Sequence, residues 1–136
     1  MPNWSRGIIE IKGKGKDIKR FLVEKLGEDA KEVIDTGEKI ILIPDRYIWF
    51  EGTNRNFIEG QIEFEYTSQE VDSHFEDNGF MAAWYVEPEP YEVFSKQYDL
   101  EYIINVVEVL GGFEQEVHIQ NGKVVKDTAK EIFIER

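Results

Sequence analysis

At 136 residues the chain has the usual length of one domain, and it carries no cysteine, which excludes disulfides and thiolate metal centres. Hydrophobic residues make up 41%, with nine Phe, six Tyr and three Trp, enough large apolar surface to offset the entropy of ordering and to exclude general disorder. The 28 acidic and 16 basic residues leave a formal net charge of −12, a surface that repels phosphate backbones and anionic lipid. Direct nucleic-acid binding is therefore not expected. No membrane association is expected either, because no run approaches the roughly 18 apolar residues of a spanning helix and the opening residues lack an export signal's apolar core. A cytoplasmic protein of a bacterial host is the expectation.

Residues 7–12, with Ile8, Ile9 and Ile11, read as a short strand closed by Gly13, Lys14, Gly15 and Lys16. The period then changes. Asp17 serves as N-cap or first-turn acid, and Ile18, Phe21, Leu22 and Leu26 share one helical face before Gly27. Val33 and Ile34, then residues 40–43, form the arms of a hairpin about Gly37 and Glu38. Residues 47–50 are apolar on both faces, which predicts a central strand covered on both sides or one lining an interface. Thr53 is placed as the N-cap of a short helical turn through Phe57 and Ile58, ended by Gly60. Ile62, Phe64 and Tyr66 alternate with Glu63 and Glu65, as in a half-solvated strand.

The polar, acidic and aperiodic stretch 67–79 is expected to be an exposed, mobile loop. Residues 80–86 return to a strand, and Pro88 and Pro90 introduce a second helix that runs to Tyr98. Strands follow at 100–110, 113–120 and from 123 onward, with Asn121-Gly122 as a type I′ hairpin turn. This order predicts one α+β domain over 1–136. Its expected form is a ferredoxin-like βαββαβ core, two helices on one face of a mainly antiparallel sheet, with an extra C-terminal β-hairpin. Trp4 and Trp84 are expected to be largely buried, and Phe21 and Leu22 to pack a helix onto the sheet.

Several short segments, in order, resemble one family. The opening Met1-Pro2-Asn3-Trp4 precedes a strand, a glycine and a helix bearing Phe21-Leu22; the stretch from Gly52 to Ile58 reads GTNRNFI; Ala83-Trp84 is followed by Pro88, Pro90, Tyr91 and Ser95; and residues 108–113 hold a glycine-rich turn. Together they resemble the YubB-type ferredoxin-like proteins of phages, plasmids and integrated elements. The resemblance implies a ferredoxin-like fold and a mobile-element setting, and no activity. Two positions depart from the family's pattern: Ser5 stands where a Cys is frequent, and Gly7 where Asn or a similar residue is.

Asp72, His74, Glu76 and Asp77 form the densest cluster of potential metal ligands, and Glu114, Glu116 and His118 share one face of a predicted strand. Either set, with a metal, defines the alternative reading, a small metal-dependent hydrolase or nuclease. The residues 13–16 before a helix lack the length and terminal Lys-Ser/Thr of a phosphate loop. Trp4, Trp49, Phe50, Trp84 and Tyr85 read as core rather than as a base-stacking platform. The favoured reading is a non-catalytic interaction protein of a phage or mobile element, without metal or cofactor. It would present an acidic face, Glu63, Glu65, Glu114 and Glu116, to a protein partner with a basic surface, as an inhibitor or nucleic-acid mimic.

Overall fold

The computed structural model describes residues 3–66 and 70–132. In chain order these form β1 (Trp4–Lys14), α1 (Gly15–Lys25), β2 (Glu32–Asp35), β3 (Lys39–Ile43), β4 (Tyr47–Trp49), β5 (Asn56–Glu59), β6 (Ile62–Glu65), β7 (Asp72–Ala83), α2 (Glu89–Tyr98), β8 (Glu101–Glu108), β9 (Phe113–Gln120) and β10 (Lys123–Glu131). Seven strands join in one sheet, in the order β10-β9-β8-β1-β7-β5-β4, and β2-β3-β6 make a separate small sheet. Every pairing is antiparallel.

This architecture overturns the expected ferredoxin-like βαββαβ core. Three local readings account for the difference. The stretch expected to be a loop at 67–79 contains most of β7, which pairs along nearly its whole length with β1; residues 67–69 lie outside the described residues. The expected helical turn after Thr53 is instead a tight turn into β5. The Thr53 hydroxyl donates to the Phe50 carbonyl at 2.7 Å and accepts from the Asn56 N–H, and Arg55 takes a left-handed φ of 55°, which breaks any helix there. Finally, the strand at 47–50 is not central. It is the outer strand β4, with Ile48 buried and Trp49 on the exposed side.

Alternation along the strands assigns the two faces of the large sheet. Ile9 and Ile11 of β1, Phe75 and Phe80 of β7, Tyr102, Ile104 and Val106 of β8, and Val117 and Ile119 of β9 enter one continuous core. A bulge between Gly7 and Ile9, opposite Phe80 and Asp77, shifts the parity of β7 so that Phe75 and Phe80 both face inward. Gly7 itself is fixed by crowding. A Cβ there would lie 1.8 Å from the Asn105 carbonyl oxygen of β8, so no larger residue fits without moving that strand.

Both helices and the small sheet cover this core. Ile18, Phe21 and Leu22 recur at helical spacing and are buried, with Asp17 in the first turn and Lys25 in the last, as the helix dipole favours. The Phe21 ring meets those of Phe50, Phe94, Tyr98 and Tyr102 at centroid distances of 5.2 to 6.2 Å. From the small sheet, Ile40, Leu42, Ile62 and Phe64 complete the layer, and Phe64 sits edge-on to Phe75 at 6.0 Å. Asn121 and Gly122, with φ of 54° and 73°, make the expected type I′ turn between β9 and β10, and the Gly122 N–H donates to Ser95 Oγ of α2 at 2.9 Å.

The expectation for the tryptophans is corrected. Trp4 is only half-buried, and Trp84 is 46% exposed. A left-handed φ of 63° at Trp84 ends β7 and turns that side chain out of the sheet's alternation. Ser5, by contrast, is buried and donates its hydroxyl to the Trp84 carbonyl, which ties the start of β1 to the residue after β7.

Candidate functional site

The face of the large sheet opposite the core stays open, since among the described residues no helix or strand lies across it. Residues of this face fall into two halves. At one end, Trp4, Arg6, Tyr47, Phe57 and Met81 line an apolar groove. Trp4 meets Phe57 edge-on at 5.9 Å, Tyr47 lies 6.2 Å from Phe57, and the Arg46 guanidinium sits 5.0 Å above the Tyr47 ring. Trp49, Ile8 and Val107 extend the apolar surface, each between 37% and 38% exposed. Asn56, the buried neighbour of Phe57, donates to the Tyr91 hydroxyl of α2 at 2.8 Å, so β5 is held to the core while Phe57 points outward.

The other half carries carboxylates and histidines. Strand register places Glu10 of β1 directly opposite Glu76 of β7, and Lys12 opposite His74. One donor atom each from Glu10, His74 and Glu76 lie within 4.8 Å of one another, and His74 Nε2 is 3.0 Å from Glu10 Oε1. Glu76 also lines a polar groove with Glu59, Gln61, Asp77 and Asn78. Asp77 is half-buried there; burial pushes its carboxyl above the usual aspartate range, against a 2.7 Å hydrogen bond from the Gly79 N–H.

The residues singled out in the sequence are thus partly regrouped. Asp72, His74 and Glu76 stand on a rigid strand rather than on a loop, and Glu10, 64 residues from His74 in sequence, is the partner that sequence reading missed. The signal available for it was the alternation of β1, which puts Glu10 on the polar face. Glu114, Glu116 and His118 do share one face of β9. However, Lys130 Nζ lies 2.9 Å from Glu114, Lys126 Nζ lies 3.0 Å from Glu116, and His118 pairs with Glu101. Glu63 and Glu65 belong to the other sheet, and Glu63 is held by Lys39 at 2.5 Å. The four glutamates of the expected acidic face therefore divide between two sheets, and three of them are ion-paired. Lys14 and Lys16 of the glycine-rich turn both approach Glu70, at 4.0 and 3.1 Å, and the Gly15 N–H donates to the Val71 carbonyl. That turn is occupied by the chain itself.

Trp49, Trp84 and Tyr85 are exposed rather than core, while Phe50 is buried. No known protein family, no curated protein and no solved structure matches this chain. Among the described residues, no helix is long and apolar enough to cross a membrane.

Proposed function

We propose that this chain is a non-catalytic interaction protein that binds a basic protein partner across the open face of its seven-stranded sheet. The resemblance of its sequence to the YubB-type proteins gives the proposal its setting, a phage or other mobile element. One observation carries it: Trp4, Tyr47, Trp49, Phe57 and Ile8 gather on one uncovered sheet face, where Trp4, Tyr47 and Phe57 line a continuous apolar groove. Apolar surface of this kind supplies contact energy, and aromatic residues are favoured at the centres of protein interfaces.

Charge specifies the partner. The net −12 attracts a basic surface at long range, and the groove of Glu76 and Asp77 carries carboxylates without a lysine partner among the described residues, unlike the lysine-bound Glu63, Glu114 and Glu116. Mimicry of a nucleic acid, in this form of the proposal, comes from the overall field and that groove rather than from a row along β6 and β9. Affinity capture from a bacterial host lysate tests it with three baits: wild type, Trp49→Ser, and the double variant Glu76→Gln/Asp77→Asn. A partner of basic composition, lost with Trp49→Ser and bound by the double variant with a flatter salt dependence, is the expected result. Equal recovery by all three baits would refute the assigned face.

A further inference from the structure

We infer that Glu10, His74 and Glu76 form a binding site for a divalent transition-metal ion of the zinc type. Glu76 also belongs to the acidic groove invoked for the partner, but the metal site rests on its own geometry and is tested without a partner. Three features of the fold build it. The ligands come from the hydrogen-bonded strands β1 and β7; at Glu10 β1 is paired on both sides, with β7 and β8, and the stretch of β7 bearing His74 and Glu76 is paired with β1, so their backbones are fixed in a way that a loop's would not be. Their donor atoms lie within 4.8 Å of one another, and donors sharing one zinc ion, each about 2.0–2.2 Å from it, sit roughly 3–4 Å apart. Rotation about the terminal bonds of two glutamates covers that difference.

The second feature is electrostatic. Glu10 and Glu76 face each other directly across the ladder, an arrangement of like charges that weakens a strand pair. A cation between them turns the repulsion into attraction. Lys12, the cross-strand neighbour of His74, does not fill this role: among the described residues it forms no ion pair, and its side chain is exposed. His74 alone reaches Glu10, through the same Nε2 that a metal would use.

The third feature decides the class of ion. Calcium takes six to eight oxygen ligands, and magnesium holds most of its water, whereas one imidazole nitrogen with two carboxylates is a donor set suited to zinc and its neighbours. The second histidine provides the internal control. His118 pairs with Glu101, while its neighbour Glu116 is taken by Lys126, and this pair gathers no third free donor among the described residues.

Isothermal titration of the chain with Zn²⁺ alone, in a non-chelating buffer containing excess Mg²⁺, tests the site. One ion per chain is expected, with at least a tenfold loss of affinity in His74→Ala and in the near-isosteric Glu10→Gln, and no change in His118→Ala. Thermal melting of each metal-free variant checks that it folds, and added Zn²⁺ should raise the midpoint of the wild type and of His118→Ala only. Absence of saturable binding, or undiminished binding by His74→Ala or Glu10→Gln, would overturn the assignment.

Discussion

Two buried tyrosines offer a matched test of the core. Tyr91 and Tyr102 are both fully buried, and their rings lie 5.6 Å apart. Their hydroxyls differ. Tyr91 accepts a 2.8 Å hydrogen bond from Asn56, itself 3% exposed, whereas the Tyr102 hydroxyl has no hydrogen-bond partner among the described residues. Tyr91→Phe leaves a buried amide N–H unpaired, which costs about 1–3 kcal/mol. Tyr102→Phe removes a polar atom that is desolvated without recompense, and should change stability by no more than about 1 kcal/mol, toward greater stability. For a chain of this length an unfolding entropy of about 2.1 cal/mol/K per residue makes each kcal/mol worth roughly 3–4 °C in the midpoint. In calorimetric unfolding the Tyr91→Phe midpoint should therefore fall by roughly 4–10 °C and that of Tyr102→Phe stay unchanged or rise. Equal losses in the two variants would refute the hydrogen-bond assignment, and with it the anchoring of β5 to α2.

Burial pushes the phenols of Tyr91, Tyr98 and Tyr102 upward, helped at Tyr98 by the Glu24 carboxylate, so the folded chain favours their neutral forms. A raised folded pKa gives stability that is complete below the ordinary value of about 10 and lost as pH rises above it. Alkaline titration followed at 295 nm should show these three tyrosines ionising only as the protein unfolds. Asp35 behaves oppositely: the Lys19 ammonium first, then the Tyr66 hydroxyl and the Gly37 N–H, hold its carboxyl down at about 2. Its contribution is present above about pH 4 and lost as pH falls through about 2, so Asp35→Asn should flatten the acid limb of the stability profile, and an unaltered limb would contradict the pairing. Phe21→Ala, at the centre of the aromatic cluster, should cost about 3–5 kcal/mol, whereas Trp84→Ala should cost about 1 kcal/mol or less, measured by urea unfolding.

Where local chemistry decides conformation, the sequence was legible. The helix around Phe21 declares itself by spacing, α2 by its prolines, and the last hairpin by Asn121-Gly122, because each signal acts within a few residues. β7 was not legible. Asp72, His74 and Glu76 face solvent, so the strand lacks an apolar majority over its first half, and only the pairing with β1 makes it a strand. Thr53 illustrates another limit: a residue that caps helices also closes turns, and the left-handed Arg55 decides between them. The separation of β2, β3 and β6 into a second sheet depends on contacts such as Phe64 with Phe75, which no local period encodes. For the same reason the histidine cluster was seen without Glu10, and the glutamates of β6 and β9 were grouped although two sheets and three lysines divide them.

The open face is tested most directly by a photo-crosslinking amino acid placed, one site at a time, at Trp49 on that face and at Val93 on the exposed side of α2, in the protein expressed in a bacterial host. The account predicts a discrete adduct with a basic protein from position 49, weakened by added salt, and none from position 93. No adduct from position 49, or the same adduct from both positions, would contradict it.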